Sequence, residues 1–225
     1  RILTEQNLSE KDKDQIIRVC ELNLVGNQPI PIRLRAMWGL HALNKTISET
    51  WLEDTNEHIR AWVIRLMMDD QPIDTLFGPR EKALPSANPK LLQKLVQQAQ
   101  RDSSSLVRLT LASSLQRLPV ESRGELAKAL ASRSEDKNDH NLPFVVWAGI
   151  TPLLELDSGK LLEVARTSEW SNLRTWIARA ITERSKVNPI AFDTLLKLVG
   201  DQPEQADSLL AGIERAVLGI KGFIK

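Results

Sequence analysis

Several features are scarce in this sequence of 225 residues, and each shortage excludes a class of protein or site. Cys20 is the one cysteine, which excludes an internal disulfide framework and a metal site built from several cysteines. No apolar run approaches the roughly 18 residues of a membrane helix, so no membrane insertion is expected. The glycines are scattered singly, and no phosphate-binding glycine loop or nucleophile elbow is present, so no catalytic residue is predicted.

Neither sign of charge is in excess. The chain has 30 Lys and Arg against 29 Asp and Glu, a formal net charge of +1, and the two signs are interspersed. No nucleic-acid or anionic-lipid partner is therefore predicted. Tyrosine is absent, whereas Leu, Ala, Arg, Glu and Gln are abundant. Because these residues lose little entropy in a helix, the composition predicts an all-α fold.

A repeat is present in the sequence. The stretch from Asp54 to Arg60 matches that from Asp102 to Arg108: an Asp, four mostly polar residues, a β-branched residue and an Arg. Both stretches continue into apolar residues at the period of an α-helix. These residues are Ile59, Trp62, Val63, Leu66 and Met67 in the first copy, and Val107, Leu111, Leu115 and Leu118 in the second.

Degenerate copies surround Arg33 and Arg174, and further helices are predicted between the copies. Two of them start after the capping residues Ser9 and Asn88. The others cover residues 121–132, 158–166, 189–199 and 203–218. Short turns that pair the helices predict a curved, right-handed HEAT-like α–α superhelix, an ARM-type solenoid of about five helix pairs. Residues 1–225 are expected to form one domain, with an insertion from Asp69 to Ala87.

The recurring Asp and Arg have a structural interpretation. Asp54 and Asp102 precede helices, where their side chains can accept hydrogen bonds from free amides. Arg60 and Arg108 lie in the first helical turn, within reach of carboxylates and carbonyls in a neighbouring turn. The four residues predict a ladder of charge-assisted hydrogen bonds along the repeats, a pattern that resembles HEAT repeats.

Four stretches resemble a particular family. They are residues 36–43, 111–119, 136–153 and 209–213. They are similar to the HEAT-repeat region of planctomycete and verrucomicrobial (PVC-type) membrane-bound dehydrogenase or haem-binding multidomain proteins. The resemblance implies a segment that spaces a dehydrogenase-like β-propeller from a cytochrome c domain in an exported, periplasmic bacterial protein. Because these residues contain neither the propeller nor the haem motif, it implies no enzyme activity and no cofactor for this segment, which we expect to be an excerpt of a larger protein.

The tryptophans divide into two predicted groups. Trp38, Trp62 and Trp176 lie on apolar stripes and are predicted to fill the core. Trp147 is followed by the small residues Ala148 and Gly149, which favours close helix packing. The second group flanks turns, is expected to be half exposed, and forms a possible interaction surface together with arginines of the second helices. This surface comprises Trp51, Arg65, Arg117, Trp170 and Arg179, and ordinary solvated surface is the alternative interpretation.

No metal site is predicted. The polar run 135–141 lacks the glycine and the final glutamate of a calcium-binding loop, so it is interpreted as a turn before a helix. His41 lies on a mostly apolar helix face and is interpreted as a core residue. His58 and His140 are predicted in turns, without spaced ligands for zinc.

These observations favour a non-catalytic scaffold that presents a protein-interaction surface or spaces neighbouring domains. One alternative is a HEAT-like DNA glycosylase that acts on alkylated bases, suggested by the Trp- and Arg-containing segment 170–179. The near-zero net charge argues against it, because duplex binding requires several phosphates to be neutralised. A spacer without any ligand is the third possibility.

Overall fold

The computed structural model describes residues 8–74 and 88–222. Within these ranges the chain is helical and contains no strand, which confirms the all-α prediction and is compatible with an α-solenoid. The chain divides into two compact units, Arg1–Gln71 and Pro72–Lys225. The single domain expected for residues 1–225 stays a prediction.

The described part of the first unit, from residue 8 onward, contains three α-helices and one 3-10 helix. The first α-helix begins at the predicted cap, where the Ser9 hydroxyl accepts the Asp12 amide N–H at 3.2 Å. The three are α1 (Glu10–Val25), α2 (Ile30–Ala42) and α3 (Glu57–Met67), with the 3-10 helix Glu49–Glu53 between α2 and α3. Helix α2 packs against both α1 and α3. The predicted copies around Arg33 and Arg60 are therefore neighbours in space.

The second unit contains helices in pairs, with short 3-10 turns in two of the connections. Its helices are α4 (Pro89–Arg101), α5 (Ser105–Ser114), α6 (Val120–Ala131), α7 (Leu142–Ile150), α8 (Leu153–Leu156), α9 (Ser158–Thr167), α10 (Ser171–Glu183), α11 (Pro189–Asp201) and α12 (Ala206–Gly222). The predicted cap at Asn88 is confirmed, since its side chain accepts the Lys90 amide N–H at 3.0 Å. The other predicted boundaries differ by a few residues at most, the largest shift being at the two ends of α12.

The helices of the second unit pack in two series. The first helices of the pairs contact one another in the order α4, α6, α9 and α11, and the second helices do so in the order α5, α7, α10 and α12. Each second helix also contacts the first helix of its own pair. Each pair thus buries its apolar side against the pairs before and after it, as in repeat architectures.

The expected insertion, Asp69 to Ala87, falls partly outside the described residues, which omit 75–87. Its described end is fixed to the second unit. The Asp74 amide donates to the Gln116 carbonyl at 2.8 Å, and its carboxylate lies 2.6 Å from the buried guanidinium of Arg123. Arg123 also donates to the carbonyl oxygens of Leu118 and Gly149. This buried cation joins the start of the insertion to two helix ends.

Candidate functional site

The turns before four second helices share one hydrogen bond. In each, the side-chain oxygen of the residue three before the helix accepts the amide N–H two residues later, which satisfies a donor that helix geometry leaves free. The pairs are Asn56 N–H to Asp54 (2.8 Å), Ser104 to Asp102 (2.9 Å), Asn141 to Asp139 (2.8 Å) and Trp170 to Ser168 (3.0 Å). Serine can therefore replace aspartate at this position, which explains why the copy before Arg174 lacks the acidic residue.

The repeated arginine also binds this turn, through the backbone carbonyl of the residue six positions earlier. The guanidinium of Arg60 donates to the Asp54 carbonyl, and that of Arg108 to the Asp102 carbonyl, each at 2.8 Å. Arg174 donates in the same way to the carbonyl of Ser168, again six residues back. One contact within the turn thus explains why the arginine follows the first turn residue by six positions in each stretch.

Two arginines also reach a carboxylate in the turn before the next second helix. Arg33 of α2 binds the carboxylate of Asp54, the turn residue before α3, and donates through Nε to the Leu24 carbonyl at 3.0 Å. Both partners of the ion pair are largely buried. This contact across neighbouring helices is of the kind that the predicted ladder requires.

The second such contact joins α5 to the turn before α7. Arg108 binds Asp136 through two nitrogens, with Nη2 to Oδ1 at 2.6 Å, and both side chains are about 5% exposed or less. The hydrogen bond that Arg108 donates to Asp136 raises the pKa of Arg108, and the charges of the nearby carboxylates add to this effect. Arginine suits this position because its planar fork can bind one carboxylate with two N–H groups.

The step from α10 to α12 uses a neutral acceptor. Arg174 Nε donates to the Ser208 hydroxyl at 2.7 Å, and the Thr175 hydroxyl donates to the Ser208 carbonyl at 2.9 Å. Burial lowers the pKa of Arg174, in contrast to Arg108. The same architectural position can therefore be filled by an ion pair or by hydrogen bonds alone.

Trp170 is not part of an exposed surface, so the expectation of half exposure is wrong. Its side chain is fully buried and its Nε1–H donates to the Arg133 carbonyl at 2.8 Å. The Glu169 amide donates nearby to the Ala131 carbonyl at 2.7 Å. Arg133 in turn donates to the Asp102 carbonyl at 3.2 Å. Trp170 therefore connects successive turns of the second unit.

The other residues of the predicted surface have different environments. Trp51 is half-buried, as expected, with the Arg33 guanidinium 5.5 Å from its ring centroid. Arg65 and Arg179 are exposed, and Arg179 pairs with Glu183 at 2.7 Å. Arg117 is half-buried at the end of a 3-10 turn. The five residues lie on several separate elements.

Four predicted core residues are more exposed than expected: Trp62, Trp176 and His41 are half-buried, and Trp38 is exposed. Trp38 is 38% exposed. Its ring packs edge to face against the ring of Trp62, with a centroid distance of 4.7 Å and an interplanar angle of 64°. The predicted core position of Trp38 is wrong, because Ala36, Met37 and Leu40 form the buried side of α2 and Trp38 lies beside it. His41 is also only half-buried and bonds to the Asp69 carboxylate at 3.1 Å.

Sequence reasoning missed the partner of Arg108. Asp136 was interpreted only as part of the polar run 135–141, and it lies three residues before Asp139, which occupies the repeated turn position. A signal was present in the two aspartates of that run, which are separated by one helical turn, since the turn motif requires only one. The buried pair of Asp74 and Arg123 had no repeat-based signal at all.

Comparison with known proteins adds no family assignment: no protein-family model, curated protein or solved structure matches this chain. Among residues 8–74 and 88–222, no group of three His, Cys, Asp or Glu side chains is placed to hold a metal ion. In the same ranges, none of the helices combines the length and apolar character that crossing a membrane requires.

Proposed function

We propose that this chain is a HEAT-like α-solenoid that acts as a non-catalytic scaffold. Its role is to present a protein-interaction surface on its second helices, or to space neighbouring domains of a longer exported protein. The resemblance to the HEAT-repeat region of PVC-type dehydrogenase and haem-binding proteins is the source of the spacing role.

The observation that carries the proposal is the repeated use of arginine in contacts between successive second helices. Arg33 and Arg108 each bind the turn before the next second helix, and Arg174 reaches the third residue of α12. Helices α2, α3, α5 and α10 contain arginine but no lysine, in keeping with a need for planar, forked donors. Side chains committed to holding repeats together support a structural role for these cations.

The glycosylase alternative gains no support from the segment that suggested it. Trp170 is buried against a neighbouring turn, and Arg174 is held by Ser168 and Ser208. Arg179 is exposed but already pairs with a carboxylate. These side chains are therefore poorly placed to stack on a base or to bind phosphates.

Site-specific photo-cross-linking in the cells of origin tests the proposal. A photoreactive residue is placed at exposed positions of second helices, namely Ser113, Phe144 and Arg179, with Glu125, Glu163 and Thr194 on first helices as matched controls. The expected result is one recurring protein or domain cross-linked mainly from the second-helix positions. Cross-links confined to the two ends of the chain would favour a spacer without a binding surface. Binding of labelled duplex DNA at low salt would overturn the scaffold role in favour of the glycosylase.

A further inference from the structure

An exposed aromatic face lies on α2 and α3 of the first unit. Trp38 and Trp62 pack edge to face there, and over a third of the Trp38 surface is in contact with solvent. The guanidinium of Arg65 lies 5.0 Å from the Trp62 ring centroid, and its side chain is exposed. Arg35 is also exposed and precedes Trp38 by one helical turn, so it lies on the same side of α2. We call these four residues the Trp–Arg face.

The cations of this face differ from the other arginines of the same helices. Arg33 and Arg60 are held by the turn around Asp54. Within the described part of the chain, neither Arg35 nor Arg65 forms an ion pair. Helix α2 contains no Asp or Glu, and the Asp69 carboxylate at the end of α3 is already bonded to His41. Within residues 8–74 the face therefore combines flat apolar surface with two arginines that form no ion pair there.

We propose that the Trp–Arg face binds a peptide segment of a partner in which acidic side chains flank a large apolar one. The apolar side chain packs on the tryptophan pair while the carboxylates pair with Arg35 and Arg65. Exposed Trp and Arg are the side chains that most often dominate binding energy when a partner removes them from water. This inference rests on the proposed scaffold function, to which it adds a location and a class of partner.

A peptide fits the face better than a single-stranded nucleic acid. Nucleic-acid grooves combine aromatic side chains with a continuous basic track along the backbone, and their affinity falls steeply with salt. Here two arginines flank one tryptophan pair, and the chain as a whole carries a net charge of only +1. Two cations and one apolar pair match a short segment with two or more carboxylates around one anchor residue.

Selection from a random peptide display library on the intact chain provides the probe. The enriched peptides are expected to contain Asp or Glu next to Phe, Leu or Trp. Fluorescence anisotropy of a labelled enriched peptide is then measured with the double variant Arg35→Glu/Arg65→Glu and with Trp38→Ala. Each is expected to weaken binding about tenfold or more, as for hot-spot truncations. Lys11→Glu/Arg18→Glu, the same total charge change at two exposed positions on α1, is the control and leaves binding unchanged.

Three results would overturn this inference: no enriched peptide, enriched peptides without acidic residues, or peptide binding that survives the double charge reversal. The charge variants alter exposed side chains, so they test the face even if Trp38→Ala fails to fold. A labelled oligothymidylate that binds this face more tightly than the selected peptides would replace the peptide by a nucleic acid. With one further photoreactive residue at the exposed Ile32, one helical turn before Arg35, the photo-cross-linking described above separates the two proposals. A partner cross-linked only from other second helices contradicts the Trp–Arg face and leaves the scaffold role standing.

Discussion

The step from α5 to α7 and the step from α10 to α12 have the same plan but different acceptors. In both, an arginine in the fourth position of a second helix donates to its own turn carbonyl and also reaches the next pair. Arg108 ends on the buried carboxylate of Asp136, whereas Arg174 ends on the hydroxyl of Ser208. The comparison indicates that the position of the arginine defines the contact. The charge of the acceptor then determines how much the contact contributes to the stability of the fold.

Removal of the side chain that accepts from the arginine is expected to give the largest difference in stability between the two steps. Asp136→Ala leaves a buried guanidinium without its carboxylate and should lower the free energy of unfolding by about 3–5 kcal/mol. Ser208→Ala removes a neutral acceptor from a partly buried arginine, together with the hydrogen bond that the hydroxyl donates to the Gln205 carbonyl, and should cost about 1–2 kcal/mol. Urea denaturation followed by helical circular dichroism measures both. Equal losses would show that the acceptor charge is irrelevant to the step.

Substitution of a glycine in α7 or α12, the later second helix of each step, is expected to give the next largest loss of stability. A methyl group at Gly212 of α12 would lie 2.4 Å from the Thr175 carbonyl oxygen, whereas one at Gly149 of α7 would lie 2.6 Å from the side chain of Leu115. The close atom of Leu115 is its Cβ, which moves only with its own backbone, so neither contact is relieved cheaply. Because two of the three atoms close to Gly212 are backbone atoms, Gly212→Ala should cost about 3 kcal/mol and Gly149→Ala about 2 kcal/mol.

The same denaturation assay includes a control glycine in a helix. Gly200 of α11 has no atom within 4 Å of an added methyl group, and Gly200→Ala should stabilise the chain by about 0.5–1 kcal/mol through helix propensity. A larger loss for Gly149→Ala than for Gly212→Ala would contradict the close backbone approach at the α10–α12 step.

Acid is expected to weaken the carboxylate-based step by a smaller amount. Hydrogen bonds from Arg133 lower the pKa of Glu135, which also lies 4.0 Å from Arg108. A carboxylate with a lowered pKa in the folded state contributes stability that is present above its ordinary pKa and lost as the pH falls through the folded value.

Glu135→Gln removes this contribution. Because about half of the Glu135 side chain is exposed, the loss at neutral pH should stay below about 1 kcal/mol. Urea midpoints at neutral and acidic pH should show that the difference between this variant and the parent shrinks as the pH falls. For Ser208→Ala the difference from the parent should not depend on pH. A Glu135→Gln effect that grows on acidification would contradict the assigned direction of the pKa shift.

Much of the helical pattern could be predicted because it depends on local signals. Residues close in sequence determine the helix caps at Ser9 and Asn88 and the apolar stripe after Asp54. The close approach at Gly149 could be predicted from the small residues beside Trp147, since a small side chain is what permits such packing.

The environments of several side chains could not be predicted, because they depend on residues distant in sequence. Trp170 is buried by the turn around Arg133, which lies 37 residues earlier, and flanking a turn does not reveal this contact. Trp38 lies on an apolar stripe, but the stripe is wider than the interface with α3, so its outer edge reaches solvent. The Trp–Arg face could not be predicted for the same reason, because it combines residues of two helices, α2 and α3.

A double-mutant cycle on Arg108 and Asp136 tests the claim that arginines hold successive second helices together. Arg108→Met and Asp136→Leu are made singly and together, and the free energy of unfolding is measured for each. The account predicts that each single variant loses about 3–5 kcal/mol and that the double variant, with no buried charge left unpaired, loses clearly less than either. Losses that simply add in the double variant would contradict the account, because the two side chains would then contribute independently rather than as one contact between repeats.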